Sequence, residues 1–459
     1  MKKILAILLA VLTMLSFGVL SASAVEKTQP DTDDVWKMVS EAYIYAFPLV
    51  LTDATKTLST NTDGTVAGRA PVNQFNHAKK LADASFRLVV TPNVDTVYSQ
   101  AWLDISREPM IYVLPETDRF CNLQILDAWT NTAAVLDKAG AYAITRSDWE
   151  GKLPDGVTRV DVPTATVWLI ARVVLSGEED LPNVYAIQKQ MQLLPLSAYG
   201  QEETYTAPGG TYVKENDFVP VNKTLSMTPT EFFNTANTLM QSNPPADADK
   251  ELLKKLSSIN VGAGMTFDAS LLGDHAAEHW KQMLQGLRTT LVTDGVKYAQ
   301  KLGQWNYYGK PIGDFGTAYT YRAMVALAGL GANPVEVAIY PKTGVDENGA
   351  PLSGEKTYTL HFESLPPTLE RGFWSVTAYG EDDFLIDNPI HRYCFNDRSA
   401  FELNEDGTLD IILSKEAPED TANWLPVSDR GFHLFMRIYL PDMTTLNTWQ
   451  PPVIRENSL

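Results

Sequence analysis

Apolar residues recur at three-to-four spacing across 33–57, at Val35, Met38, Val39, Ala42, Ile44, Ala46 and Leu49. That period puts them on one stripe of an amphipathic helix, with Asp33 as its N-cap. Pro48 falls inside the run and predicts a kink or an end there. Across 86–174 the pattern changes to short runs rich in Val, Ile, Thr, Tyr and Trp, broken by Pro, Asp and Gly. Strands are predicted at 86–90, 96–103, 110–114, 122–126, 141–144 and 166–175. No helix of crossover length separates them, so they are expected to pair antiparallel.

A polar stretch at 177–221 reads as a surface connection with a short helix near 184–193. Thr228-Pro229-Thr230-Glu231 then opens a helix with a capping-box pattern and Pro at its first position. Helical periodicity continues at 247–258, 274–302 and 319–330, and strand character returns at 337–340, 357–362, 373–379, 408–413 and 432–439. Asp346-Glu347-Asn348-Gly349 and Glu405-Asp406-Gly407 are turn signals between strands. Both halves therefore run helix first, then strands, and the fold class is α+β. The stretches 114–120 and 365–373 echo one another, through duplication of a module or through shared hairpin chemistry.

Composition adds location and partners. Met1-Lys2-Lys3, an apolar run at 4–20 and Ser21-Ala22-Ser23-Ala24 form the pattern of a signal peptide cleaved after Ala24, which predicts a periplasmic or extracellular protein. A retained anchor is the alternative, at the short limit for a membrane span; no later stretch offers a span. The formal charge is -19, and losing Lys2 and Lys3 deepens it. Such a balance repels phosphate backbones and anionic headgroups, so nucleic acid is not an expected partner. The length exceeds what one core usually serves, which predicts two domains. Cys121 and Cys394 stand one in each half; a disulfide stapling the halves and two separate buried thiols are both open.

The densest polar-aromatic segment is 91–104. A turn at 92–95 leads into a strand with Thr96, Tyr98 and Gln100 on one face and Val97, Ser99 and Ala101 on the other. Arg172, a lone cation inside the apolar run 167–175, needs a partner, and Asp95, Asp104 or Asp127 would serve. Thr130 and Asn131 are further candidates beside Asp127. Such a cluster is either an ion-pair network that fixes loop geometry or a ligand site. On the second reading Asp95 and Asp127 are the candidate catalytic pair, general acid and base. Asn93, Tyr98 and Arg172 are candidate ligand-binding residues, joined by Trp374 and Arg392 from the C-terminal half. There Trp374, Val376 and Ala378 share a strand face, and aromatics beside Arg and Asn suit either a sugar-like ligand or a sandwich core. Arg322 is a further cation set among aromatics. His275-Ala276-Ala277-Glu278-His279 matches an inverted zincin string, but no third ligand presents itself downstream, and no metal is expected. Neither a G-x-S-x-G elbow nor a Walker or G-x-G-x-x-G loop is present, and no cofactor is expected.

Thr91-Pro92-Asn93-x-Asp95-Thr96-x-Tyr98, the strand-borne Arg172, Gly329-Leu330-Gly331-Ala332-Asn333, Gly372-Phe373-Trp374-Ser375-Val376-Thr377, Asn388-Pro389, Arg392-Tyr393, Asn423-Trp424-Leu425-Pro426 and Trp449-Gln450-Pro451-Pro452 carry a family likeness. In these motifs and their order the chain resembles bacterial proteins whose halves are domains of unknown function 1254 and 1214. The resemblance implies two antiparallel β-sandwich, jelly-roll-like lobes with added helices, divided as 25–222, a helical connecting region at 223–334, and 335–459. It supplies no catalytic assignment. The expected function is binding of a small organic or glycan ligand in a cleft near the N-terminal sandwich, with hydrolysis as an extension. The alternative is a non-catalytic surface or assembly protein that forms a homo-oligomer through aromatic patches.

Overall fold

The structure, a computed structural model, describes residues 32–87 and 90–457. The signal-peptide expectation at 1–24 lies outside them, as do two positions of the strand expected at 86–90; the described positions of that stretch form loop.

Three cores organise the chain. The helix Thr32–Ser59 carries Asp33 and Asp34 in its first turn and Lys56 in its last, the signs its dipole favours. It runs on through Pro48. Tyr43, Tyr45, Phe47, Leu49 and Val50 are buried on all sides of the proline, so packing carries the helix past the missing hydrogen bond. Its neighbours are Pro220–Leu225, Pro229–Ser242 and Tyr319–Gly329, with the Tyr43 ring stacked on Phe232 at 4.1 Å. The N-terminal helix is thus the centre of the helical layer. The capping box forms: the Thr228 hydroxyl accepts from the Glu231 amide at 3.3 Å, and the Glu231 carboxylate accepts from the Thr228 amide at 2.8 Å. The periodicity at 274–302 overreaches. The helix Ala276–Gly295 stops, and Ala299–Leu302 pairs with Trp305–Tyr308 as a hairpin on the C-terminal sheet.

The N-terminal sandwich stacks two sheets. One has the order Phe75–His77, Thr96–Asp104, Thr166–Val174, Cys121–Asp127, Thr132–Leu136; the other, Val157–Val162, Gly140–Arg146, Met110–Leu114, Gln192–Pro195. Val97, Leu103, Leu123, Ile125, Leu169 and Val173 of the first meet Met110, Tyr112, Ile144 and Val162 of the second. One pairing departs from the antiparallel expectation: Gly140–Arg146 and Val157–Val162 run parallel.

In the C-terminal sandwich Thr368–Gly380 pairs with Phe432–Pro441, and their inward side chains Trp374, Val376, Ala378, Leu434 and Ile438 pack on Tyr358, Leu360, Phe362 and Ile411 of the facing sheet. Alternation then sends Ser375, Thr377, Tyr379, Arg437 and Tyr439 to the outside of the sandwich. By the same rule the first N-terminal sheet sends Tyr98, Gln124, Asn122 and Arg172 out. These two polar outer faces meet, and a small apolar cluster of Phe120, Val174, Ala338, Phe373 and Tyr439 closes the joint. Cys121 and Cys394 are unbridged, one in each lobe. Burial pushes each thiol up to about 12, so both stay protonated.

The turn after Tyr319–Gly329 lies against this outer face. Gly331 has φ 82°, and a Cβ there would sit 2.9 Å from Trp168 and 3.1 Å from Ile170. Gly329, at the helix end, has open space around it. Gly331→Ala is therefore expected to lower the unfolding free energy by about 1–3 kcal/mol in urea titration, through left-handed strain and overpacking. Gly329→Ala is expected to be neutral or slightly stabilising.

Candidate functional site

The joint between the lobes is built on the turn at 91–95. Thr91 holds φ 45°, a conformation a β-branched residue adopts only under constraint. The constraint comes from the other lobe. Arg437 donates from Nη2 to the Thr91 carbonyl at 2.9 Å and to the Tyr379 hydroxyl at 2.8 Å, and the Tyr379 hydroxyl donates to the Pro92 carbonyl at 2.6 Å. Three residues after Pro92, Asp95 is fully buried and accepts from Arg398 Nη2 at 2.9 Å, from Asn396 Nδ2 at 3.3 Å and from the Ser375 hydroxyl. Arg398 also pairs with Asp397. Burial alone would lower the pKa of Arg437; Tyr379 and Asp95 more than offset it and hold the guanidinium charged.

Asn93 turns this clamp toward a second cluster. Its Oδ1 accepts from the amides of Asp95 at 2.7 Å and Thr96 at 3.2 Å, while its Nδ2 donates to the hydroxyls of Tyr439 at 2.8 Å and Tyr98 at 3.2 Å. Tyr98, Arg172 and Asn122 stand side by side on three adjacent strands, as the ladder registers place them. Arg172 is 4% exposed. Its Nη2 donates to Gln124 Oε1 at 2.9 Å, and the guanidinium lies 5.5 Å from the Tyr98 ring centre. Among the described residues, Nε and Nη1 have no acceptor, and both side-chain amide atoms of Asn122, 1% exposed, are also without a partner. Among the described residues no carboxylate pairs with Arg172. The groups around it are the phenols of Tyr98, Tyr439 and Tyr340; burial tends to lower its pKa, and these phenols raise it on balance. A phenol is neutral at neutral pH, and burial drives Tyr439 higher still. The phenols solvate the cation without cancelling its charge.

The candidate residues separate accordingly. Asn93, Tyr98 and Arg172 come together. Asp95 and Asp127 do not. Asp95 precedes the rung Thr96–Val174, whereas Asp127 faces Val167 at the other end of the same sheet, on the order of 20 Å away at strand rise. No one bond of a substrate can lie between them, so the paired acid–base assignment is corrected. Asp127 instead caps the loop at 128–131, accepting from the amides of Trp129 and Asn131 at 2.8 Å each and from Asn131 Nδ2 at 3.0 Å. Burial pushes its carboxyl up, against the pull of the Asn131 bonds and nearby Arg322. Arg172 pairs with none of the carboxylates expected for it: Asp95 is taken by Arg398, and Asp104 faces Thr166 at the far end of its strand. Trp374 is buried in the C-terminal core against Phe362, and Arg392 ties a loop by donating to the carbonyls of Thr421 and Trp424 at 2.9 Å each. Neither faces Asn93. Arg322 sits within 5.2–5.5 Å of the Tyr45, Trp129 and Tyr319 rings in the helical layer. His275 precedes the helix Ala276–Gly295, and His279 packs edge-on against Trp36 at 5.4 Å.

Arg437, Tyr439, Tyr340 and Asn122 belong to the joint and escaped the pattern reading. Arg437 had a signal, being a lone cation in the apolar run Phe432–Pro441 as Arg172 is in its own strand. An open concavity of about 790 Å³ lies elsewhere, over His361, Asp410 and Asn404 on the second C-terminal sheet. There both ring nitrogens of His361 already face carboxylates, Asp410 at 2.6 Å and Glu363 at 3.3 Å. The joint, with its unpaired buried donors, is the stronger candidate.

Residues 72–195 match the model of a protein family of unknown function, DUF1254, and residues 337–443 match a second, DUF1214. The chain carries both domains, in that order. The joint draws Asn93, Tyr98, Asn122, Gln124 and Arg172 from the DUF1254 part and Tyr340 and Tyr439 from the DUF1214 part. Among curated proteins none matches the chain. The VPA0106 protein of Vibrio parahaemolyticus shares the fold at TM-score 0.67 with 24% identity, over 92% of this chain and all of its own. An uncharacterized protein of Burkholderia cenocepacia aligns at TM-score 0.42 and 13% identity, over 93% of this chain and 94% of its own.

One pairing near the joint sets a pH dependence. His77 Nδ1 lies 2.8 Å from the Ser99 hydroxyl, and burial, helped by Lys79, lowers the pKa of His77 from 6.5 to about 4. The unfolded chain then binds this proton more readily than the folded one, so stability is lost as pH falls from about 6.5 to about 4. Thermal melts across that window should show the decline, and His77→Gln should have a shallower one. Equal slopes for the two proteins would exclude the effect.

Proposed function

We propose that this protein binds a small organic ligand at the joint between its lobes, over the outer face of the first N-terminal sheet. Asn93, Tyr98 and Arg172 are its contacts. The observation that carries the reading is Arg172: a buried guanidinium with unfilled donors and no counter-charge, beside an Asn122 amide with both atoms unpaired. Buried polar groups in proteins are nearly always satisfied, and exceptions cluster at functional sites. Asn93, Tyr98 and Tyr340 are half-buried, so the rim of the joint reaches solvent while the Arg172 and Asn122 atoms lie beneath it. The scaffold around them is over-determined by the Arg437 and Asp95 contacts, as a rigid binding site requires. Hydrolysis receives no support from paired carboxylates, so binding is the reading kept.

A thermal-shift screen of small sugars, organic acids and aromatic metabolites tests it. At least one class should raise the melting temperature of the native protein, and Arg172→Met, checked for a native far-UV circular dichroism spectrum, should abolish that rise. Hits that stabilise Arg172→Met equally well would place binding elsewhere.

A further inference from the structure

Resting on that reading of the joint, we infer that the anchoring group of the ligand is a carboxylate, a single negative charge on a small organic acid seated on Arg172. The charges at the joint argue for this. Three guanidiniums stand there, Arg172, Arg398 and Arg437. Arg398 spends its charge on Asp95 and Asp397, and Arg437 lies within range of Asp95. Three positive charges face two negative ones, and the unanswered charge is on Arg172. A neutral sugar or amide would fill its hydrogen bonds and leave that charge uncompensated in the interior, the costly case. A phosphate dianion would overshoot by one charge and needs a second free cation, which Arg398 and Arg437 do not supply.

Geometry agrees with the charge. A planar carboxylate matches the guanidinium, whose donors lie in one plane. The groups beside Arg172 are neutral: the Tyr98, Tyr340 and Tyr439 hydroxyls, and the Asn122 amide on the adjacent strand. They can hydrogen-bond the remainder of an acid without adding charge. Asn333 extends the same lining, its Nδ2 donating to the Tyr340 hydroxyl at 2.7 Å and its Oδ1 unpaired. Hydroxyl-bearing parts of a ligand suit these amide oxygens.

The test is titration calorimetry of the full chain at pH 7.5 with matched pairs: lactate and lactamide, glucuronate and glucose, benzoate and benzamide, together with inorganic phosphate. At least one carboxylate should bind with one-to-one stoichiometry, its neutral counterpart roughly 10- to 100-fold more weakly, the range expected for losing a charge-assisted bond. Arg172→Met should remove the preference. Equal binding of a neutral counterpart, or binding of phosphate in preference to every carboxylate, would overturn the inference while leaving the joint a ligand site. Binding of none of these probes would overturn it too; if the metabolite screen is also empty, the ligand-site reading falls with it.

Discussion

Charge without an answering charge is expensive inside a protein, and the joint of this molecule holds such a charge at Arg172 while satisfying two other guanidiniums that the opposite lobe supplies. Arg398 has Asp95, and Arg437 has the carbonyls of Thr91 and Pro92, the Tyr379 hydroxyl and the nearby Asp95 carboxylate. The contrast matters because the same desolvation cost, several kcal/mol per ion after relaxation, applies to all three. Only for Arg172 does no carboxylate share in offsetting it; neutral phenols and the Gln124 amide do so alone. The rest of the joint supplies the stability that tolerates this.

That tolerance comes from coupling the lobes. Thr91 is held at positive φ by a guanidinium from the opposite sandwich, and Asn93, positioned by the same turn, hydrogen-bonds tyrosines of both. Strain of this kind costs on the order of 1–3 kcal/mol and persists where surrounding contacts over-determine it. Neither half can complete the arrangement alone. The DUF1254 part provides the cation and the turn; the DUF1214 part provides the clamp and two phenols. A shared joint gives a physical reason for the two domains to occur in one chain.

Much of the scaffold was legible from periodicity. The central strands Thr96–Asp104, Met110–Leu114, Cys121–Asp127 and Thr166–Val174 read as short runs rich in apolar and aromatic residues because most of their positions are buried, and the capping box announces Pro229–Ser242. Of the edge strands, Val157–Val162 is polar on its exposed positions and Thr132–Leu136 has no fully buried one, so both carry a weak pattern. The joint was half legible. Arg172 and Asn93 stand out as polar residues where apolar ones are expected, but Tyr439, which meets both from the opposite lobe, lies more than two hundred residues away on a strand whose outer face no local pattern identifies. Trp374 shows the difficulty: its aromatic neighbourhood attracts attention, yet alternation turns it into the core and hands the joint to Ser375 and Thr377. Asp95 and Asp127 are similar in sequence context, and only the ladder register shows that they occupy opposite ends of a sheet.

Whether Arg172 is kept for a ligand or for the scaffold is decided most directly by urea unfolding of the ligand-free protein, comparing Arg172→Met with Asp95→Asn. Removing a charge that nothing answers should leave Arg172→Met about as stable as the native protein or more so, whereas breaking the Asp95–Arg398 pair should cost about 3–5 kcal/mol. A loss of that size in Arg172→Met as well would show that its charge holds the lobes together, and would contradict the reading of the joint as a binding site.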